Sequence, residues 1–195
     1  ITLSSYAKEW LKSKSIADSR ITVLLPGSDR ITRQEGSDKI VSPRFRTDPE
    51  TLLFCYAGSP AFVRGPDRLL RAFSTIMKKI PESKMIFLLR KAENPRILER
   101  YQQQLISLSM RLNLQRCVEF IDRDLKNGEM HAILSEVDVA IFPFKLIQAD
   151  CPLSVMEAIE QGTLVIAPKI DGIPDLAIGK RAIIFTSGQA GLCRA

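Results

Sequence analysis

The residues best placed to do chemistry lie around the start of one short helical segment. Asp150 can cap a helix, and Pro152 suits the first turn that follows. The backbone amides of Leu153 and Ser154 would then lie free at the helix start, where the helix dipole favours negative charge. This spacing predicts a site for a phosphate group.

One acidic residue lies about a turn further along the same segment. Glu157 is close enough to the helix start for its carboxylate to accept two hydrogen bonds from the hydroxyls of a ribose. The alternative is that Glu157 is a solvated or capping carboxylate, as most helical Glu residues are. Gly162 suits a left-handed stop that ends the helix before the next strand.

Glycines and a cation also follow the first strong apolar run. Gly58 and Gly65 flank Arg64 between a predicted strand and a predicted helix. Glycines in this position allow the backbone to approach a phosphate, although both can also be ordinary turn residues. The sequence therefore adds this loop to the candidate anion site.

Basic side chains follow two further predicted strands. Arg90 and Lys91 either supply positive charge to a ligand or form a solvated pair, while Lys145, with Lys169 nearby, follows a third strand. Residues 60–100 hold ten Lys or Arg and four Asp or Glu, in a chain of net charge +6. This concentration of positive charge predicts an anionic partner such as a nucleotide.

The elements that must position these residues alternate between strands and helices. The predicted strands are 52–57, 85–89, 117–121, 137–142, 164–167 and 182–185, and the predicted helices begin near residues 66, 95, 129 and 152. Strands that are apolar throughout need helices on both faces and a parallel arrangement. We predict a doubly wound parallel α/β sheet, Rossmann-like, with the candidate loops at the carboxyl ends of its strands.

The first 50 residues follow a less regular pattern. Residues 4–14 predict a short helix, 21–25 predict a strand, and 28–50 read as a loop or linker. We therefore divide the chain into a segment 1–50 and a sheet domain 51–195. The chain begins at Ile1 with no leader, so we expect it to be a piece of a larger protein.

The composition excludes several classes of function. The chain has 195 residues, 45% of them hydrophobic, and can bury a core, but no apolar run approaches the ~20 residues that cross a bilayer. Four cysteines without a CxxC pair, and one histidine, argue against a metal centre, so we expect no metal and a reducing cytosol. The cysteines are Cys55, Cys117, Cys151 and Cys193.

Two of these side chains need a separate interpretation. Cys55 and Cys117 fall in predicted strands and belong to the core, so Cys151, beside the candidate site, is the cysteine to test for reactivity. The single histidine, His131, is expected on a surface or packing face of its helix.

Four stretches together resemble the nucleotide-binding half of GT-B glycosyltransferases, specifically glycosyltransferase family 4. The stretch PLSVMEAIEQGTLVIAPKIDGIPDLA, residues 152–177, follows the family's Glu-Ala helix and the strand after it. FCYAGSPAFVRGPDRLLRAF, EVDVAIFPF and SRITVLLPGSD are similar to the family's first strand and helix, its strand leading into Pro-Ser, and its hinge-proximal strand. The resemblance thus covers nearly the whole chain.

This resemblance implies a function and a set of site residues. It implies a donor domain for a nucleoside diphosphate sugar, transfer with retention, no metal, and a preceding domain that binds the acceptor. Arg64 takes the place of the family's Lys, and Glu157 that of its second Glu, so these two are the implied catalytic residues. Gly172 lies in a turn that resembles the family's Gly-Gly-x-x-Glu, whose backbone approaches the donor. Lipid acceptors are common in the family, so attachment to the cytoplasmic leaflet is compatible with it.

The sequence departs from the family at two positions. Ser59 stands where the family has an Arg, and Ala149 stands eight residues before Glu157, where the family has its first Glu. A methyl group cannot accept hydroxyl hydrogen bonds, so donor-sugar binding must be altered, shifted to Asp150, or absent.

These departures leave two functions open. The chain is either part of a glycosyltransferase with altered donor handling or a non-catalytic nucleotide-binding or regulatory module of the same fold. Nucleic-acid binding ranks last, because the basic stretch lacks interleaved aromatic residues for base stacking.

Overall fold

The computed structural model describes residues 1–27, 46, 48–90, 95–125, 128–147, 150–177, 179 and 182–186. The strands in these ranges are β1 Leu53–Gly58, β2 Lys84–Leu89, β3 Val118–Ile121, β4 Val139–Ile141, β5 Leu164–Pro168 and β6 Ala182–Phe185. The helices are α1 Ser5–Ser13, α2 Pro66–Ile76, α3 Pro95–Arg111, α4 Glu129–Glu136, α5 Leu153–Glu160 and α6 Ile173–Ala177, with 3₁₀ turns at Asp18–Arg20 and Phe62–Arg64.

The strands form one parallel sheet in the order β3-β2-β1-β4-β5-β6. The order reverses between β1 and β4, so the loops that leave these two strands diverge at the centre of the sheet. Such a switch point at the carboxyl edge is where ligands bind in open α/β sheets. The predicted fold class is confirmed.

The core surrounds the two most apolar strands. All but the last residue of β1 is buried, as is all but the first of β2. Phe54 packs edge to face on Phe73 of α2, with ring centroids 5.8 Å apart, and Tyr56 contacts Phe87 of β2. A strand buried on both faces needs an unbroken apolar run, which is why these two strands could be recognised from the sequence.

The N-terminal segment does not share this core. Helix α1 is capped by Ser4, whose Oγ accepts a hydrogen bond from the amide of Ala7 at 3.0 Å, yet none of its residues is buried. Tyr6 and Trp10 are each 54% exposed. The pattern that predicted a helix over residues 4–14 was right about the element, although its apolar side faces solvent in this chain.

The strand predicted over residues 21–25 was wrong. Val23 forms a single parallel bridge with Thr2, through hydrogen bonds of 2.8 Å from the Thr2 amide to Thr22 and from the Leu24 amide to Thr2. A strand requires several consecutive paired residues, and in the described chain residues 21–25 pair with no other segment. The predicted linker lies almost wholly outside the described residues.

Within the described ranges, none of the helices combines the length and hydrophobicity that crossing a bilayer requires.

Candidate functional site

The loop after β1 is closed by a tyrosine from the strand itself. The hydroxyl of Tyr56 donates a hydrogen bond to the carbonyl of Ser59 at 2.8 Å, so the ring folds back over the end of the strand. A Cβ on Gly58 would lie 2.8 Å from that hydroxyl, which explains the glycine. The amide of Arg90, directly after β2, donates to the carbonyl of Gly58 at 3.1 Å. Predicted site residues from two loops thus meet at one edge.

Gly65 is required by the fold. It has a left-handed φ of +73° at the start of α2, and a Cβ there would lie 2.1 Å from the carbonyl oxygen of Pro143. The glycine therefore lets the β1–α2 loop approach the segment that follows β4. Its direct approach to a ligand stays a prediction.

Arg64 lies at the same junction and packs against an aromatic ring. Its guanidinium carbon is 4.9 Å from the centre of the Phe144 ring, a cation–π distance. Among the described residues Arg64 forms no ion pair. Within the described part of the chain this positive charge is not neutralised, so it is available to an anion.

Lys145, in contrast, is not available. Its Nζ lies 2.9 Å from Asp67 and 3.3 Å from the centre of the Phe62 ring, and Tyr101 also donates a hydrogen bond to Asp67. The sequence counted Lys145 among the cations at this edge, but the side chain ties α2 to the loop after β4. Its positive charge is compensated by that carboxylate.

The start of α5 leaves two amides without partners. The helix begins at Leu153, and the residue before it, Pro152, is the N-cap without a side-chain cap. Within the described part of the chain, the amides of Leu153 and Ser154 have no hydrogen-bond acceptor. The Leu153 side chain is 60% exposed. These amides point away from the helix, as an anion site requires, and the binding of an anion here stays a prediction.

Asp150 does not cap this helix, so that prediction was wrong. It lies two residues before the N-cap, and its carbonyl accepts a hydrogen bond from the amide of Gly172 at 3.0 Å. Its Oδ2 is buried without a partner among the described residues. Asp150 therefore joins the loop before α5 to the loop after β5.

Gly172 lies where the loop after β5, the loop before α5 and the N-terminal segment meet. A Cβ would lie 2.6 Å from the Asp150 carbonyl oxygen, 2.8 Å from Cβ of Ser4 and 2.9 Å from Sγ of Cys151. The N-terminal segment reaches this point through two more bonds, from Cys151 Sγ to the Leu3 carbonyl at 3.2 Å and from the Ser5 amide to Asp175. Burial, with a smaller contribution from nearby carboxylates, raises the pKa of Cys151 to about 11. Cys151, the cysteine that the sequence marked for a test of reactivity, is therefore protonated and enclosed.

Glu157 lies one turn into α5 and is half-buried. Burial raises its pKa, while the charges of His131 and Arg90 lower it and that of Glu160 raises it. These groups come from different elements, since Arg90 follows β2 and His131 lies on α4. Among the described residues Glu157 has no hydrogen bond or ion pair, so its oxygens are open to a ligand.

His131 is the residue of this cluster that sequence reasoning missed. It was expected on a surface or packing face of its helix, and its buried Nδ1 atom agrees with a packing face. The signal that relates it to Glu157 is the packing of α4 on α5, which no local pattern contains. Two other relevant positions, Lys91 and Ala149, lie outside the described residues.

The predicted residues that the structure describes follow strands at the carboxyl edge, but they do not form one connected group. The amide of Arg90 bonds the carbonyl of Gly58, and the charge of Arg90 lowers the pKa of Glu157. Asp150 contacts Gly172, whereas no contact among the described residues joins Arg64 to Glu157. A shallow cavity of about 270 Å³ lies at the opposite edge and contains none of them; Lys84, Met85, Gln115, Arg116, Cys117, Val118 and Glu119 line it. No three His, Cys, Asp or Glu side chains of the described ranges are grouped as a metal site.

The comparisons with known proteins agree with the fold. Residues 38–190 match the model of the family described as glycosyl transferases group 1. No curated protein matches the sequence significantly.

Solved structures share the fold at low sequence identity. The chain aligns over its whole length with 47% of sucrose-phosphate synthase from Thermosynechococcus elongatus (16% identity, TM-score 0.80). It aligns over 99% with 51% of HepE from Anabaena in complex with UDP (16% identity, TM-score 0.79). A C-terminal domain of a group 1 glycosyl transferase from Francisella tularensis matches 73% of the chain over 72% of its own length (16% identity, TM-score 0.61).

The chain spans about half the length of the first two of these proteins. Identities this low establish the fold, whereas the family model matches most of the sequence directly. With the parallel sheet and its strand order in agreement, the chain belongs to the group 1 glycosyltransferases.

Proposed function

We propose that this chain binds the nucleoside diphosphate of a sugar donor at the carboxyl edge of its sheet, as the donor half of a glycosyltransferase of family 4. The observation that carries the proposal is the set of unpaired polar groups there. In the described chain the amides of Leu153 and Ser154 lack an acceptor, the guanidinium of Arg64 lacks an ion pair, and Glu157 accepts no hydrogen bond. HepE, whose fold is similar, has been solved with UDP and with UDP-glucose.

Each group has a distinct role in this proposal. The α5 amides and Arg64 bind the diphosphate and stabilise the charge that develops on it as the sugar departs, so that no metal is needed. Glu157 accepts hydrogen bonds from the ribose hydroxyls. Arg90 adds positive charge beside Glu157, in place of the charge that Ser59 does not provide. The transfer proceeds with retention at the anomeric carbon.

A second domain completes the proposed enzyme. The first two structural matches are about twice as long as the chain. We propose that residues 1–50 lie next to a hinge and that a further domain binds the acceptor, for which a membrane lipid is one candidate. The exposed side of α1, with Tyr6 and Trp10, is consistent with such a neighbour.

Calorimetric titration tests donor binding by the 195-residue chain. We expect UDP, GDP or ADP to bind in the micromolar to millimolar range, and Arg64→Met to weaken binding about tenfold, the cost of one charge-assisted hydrogen bond. Lys145→Met is the matched control, because it removes a cation at the same edge that is already paired with Asp67. Absence of binding at millimolar nucleotide by the folded chain would overturn the proposal.

One observation favours the alternative of a non-catalytic module, namely that Ser59 and Ala149 lack the groups found in the family. Replacing them in the full-length protein by Ser59→Arg and Ala149→Glu separates the two functions. A gain of sugar transfer supports an enzyme with altered donor handling. If neither the wild-type protein nor the variant transfers sugar, and both bind nucleotide, the result supports a non-catalytic module.

A further inference from the structure

Two hydrogen bonds join the N-terminal segment to the carboxyl edge of the sheet. Cys151 Sγ donates to the carbonyl of Leu3 at 3.2 Å, and the amide of Ser5 donates to the carboxylate of Asp175. In the described part of the chain, no other hydrogen bond or ion pair connects residues 1–25 with a later residue. Since no residue of α1 is buried, the position of this segment depends on its first few residues.

The residue between these two bonds fills the space that a glycine leaves. Ser4 is fully buried, and its Cβ lies 2.8 Å from the point where a Cβ on Gly172 would stand. The Ser4 carbonyl accepts a hydrogen bond from the hydroxyl of Thr2, and the Ser4 hydroxyl caps α1. Residues 3–5 thus contact three points of the carboxyl edge in succession, and we call them the N-terminal clamp.

The clamp contacts the backbone that leads into the proposed diphosphate site. Cys151 lies two residues before Leu153, whose amide is free, and directly before the N-cap Pro152. The loop of Gly172 is joined to the same place, because its amide donates to the carbonyl of Asp150 at 3.0 Å. Groups that bind a ligand must be held within about 0.5 Å of their productive geometry. A displaced clamp would therefore disturb the free amides at the start of α5.

We propose that Asp175 is a positioning residue for the donor: by accepting the hydrogen bond of Ser5, it keeps the N-terminal clamp against the loops before α5 and after β5, and so fixes the direction of the free α5 amides. This inference rests on the proposed function. A carboxylate suits this role, because negative charge is favoured at the start of a helix and forms a strong charge-assisted hydrogen bond with a backbone amide.

Position 5 allows this hydrogen bond to be removed while the carboxylate stays. Ser5 is the first residue of α1, where proline is well tolerated, and Ser4 before it is extended, as a residue preceding proline prefers to be. Ser5→Pro therefore keeps the helix and deletes the amide hydrogen that Asp175 accepts. Ser5→Ala is the matched control, because it shortens the exposed side chain and keeps the amide.

The first measurement is calorimetric titration of the 195-residue chain with whichever of UDP, GDP and ADP the wild type binds most tightly, at a temperature where every variant is folded. Ser5→Pro should weaken binding about fivefold, within the range for substitutions that act through a contact network. Ser5→Ala should bind like the wild type. Asp175→Ala should cause the same loss, and the double variant Ser5→Pro/Asp175→Ala should bind no more weakly than either single variant.

A second carboxylate variant and a second readout separate positioning from folding. Asp175→Asn keeps an acceptor oxygen without the charge, so it should lose less affinity than Asp175→Ala, and it replaces Asp175→Ala if circular dichroism shows that the latter does not fold. In nuclear magnetic resonance of the ligand-free chain, the amide signals of Leu153 and Ser154 should move in Ser5→Pro and stay in place in Ser5→Ala. A role limited to stability would lower the melting temperature and leave these signals unchanged.

Three results overturn the inference. If Ser5→Pro melts at a lower temperature but binds nucleotide as tightly as Ser5→Ala, the clamp only stabilises the fold, and the proposed function stands. If Asp175→Ala weakens binding and Ser5→Pro does not, the carboxylate acts on the ligand directly. If the folded wild-type chain binds none of the three nucleotides, the proposed function is wrong and the inference fails with it.

Discussion

Two carboxylates at opposite edges of the sheet differ in how their charge is used. At the amino edge, Asp138 accepts hydrogen bonds of 2.8 Å from the guanidinium of Arg46 and from the amide of Leu53. Arg46 also donates to the carbonyls of Thr51 and Glu136, at 2.9 and 3.3 Å. Near the carboxyl edge, Glu157 has no such partners in the described chain and pays for its burial with a raised pKa.

The carboxylate of Asp138 therefore has a structural role, whereas that of Glu157 is available to a ligand. The hydrogen bonds of Asp138 hold together the segment before β1, the end of α4 and the start of β4, so its loss should affect folding. Glu157 contributes no bond within the described protein, so its loss should affect a ligand. The four predictions below test this division.

The largest effect is expected at Gly65, which lies at the carboxyl edge but is structural. Gly65→Ala combines a left-handed φ with a methyl group 2.1 Å from a backbone oxygen, and should reduce the free energy of unfolding by about 3–5 kcal/mol. Gly162→Ala is the control, with a φ of +77° and no atom within 4 Å, and should cost about 1 kcal/mol. Urea unfolding measures both. Equal costs for the two variants would show that the contact with Pro143 is not a constraint.

The next effect concerns the amino edge. Asp138→Ala leaves Arg46 and the Leu53 amide without their acceptor and should lower the free energy of unfolding by about 2–3 kcal/mol. Nucleotide affinity, measured by calorimetry at a temperature where the variant is folded, should be unchanged. A loss of affinity with little loss of stability would contradict the division between the edges.

Glu157→Gln should behave in the opposite way. Donor affinity should fall about tenfold, since a charged acceptor is replaced by a neutral one. Because burial raises the pKa of Glu157, the wild-type protein loses stability from this group as the pH rises above the ordinary value of 4.5. The neutral variant does not, so its melting temperature should exceed that of the wild type at pH 7 and equal it at pH 4. A lower melting temperature at pH 7 would reveal a structural role.

The smallest effect distinguishes the thiols of the two edges. Burial raises the pKa of both thiols, that of Cys151 to about 11. Cys117, which precedes β3 at the amino edge, is however partly exposed, whereas Cys151 is 5% exposed. In a Cys193→Ser background, iodoacetamide should modify Cys117 before Cys151, as followed by mass spectrometry of the digested protein. Faster reaction at Cys151 would show that its hydrogen bond to the Leu3 carbonyl does not keep the N-terminal segment over the thiol.

The sequence contains most of the fold because its signals are local. Pro66 and Pro95 open the helices they were expected to open, and β6 has the predicted limits of 182 and 185. The left-handed Gly162 likewise ends α5 as expected, with a φ of +77°. Each of these features depends on residues within one element or turn.

The site could be predicted only in part, because its remaining features depend on contacts between distant residues. The pairing of Lys145 with Asp67 joins residues 78 positions apart, so the lysine could not be distinguished from a free cation. Asp150 was expected to cap α5, but the helix begins after Pro152, and the backbone of Asp150 is bonded to Gly172, beyond the whole helix and β5. The relation of His131 to Glu157 likewise depends on the packing of two helices, so no local pattern predicts it.

The turn after β1 has a consequence for how this chain can change. Tyr56 bonds the main-chain oxygen at position 59, so the turn is indifferent to which side chain that position carries. A single substitution there can add or remove a positive charge at the carboxyl edge while the backbone keeps its path. The architecture thus permits ligand preference to evolve at this position independently of foldability.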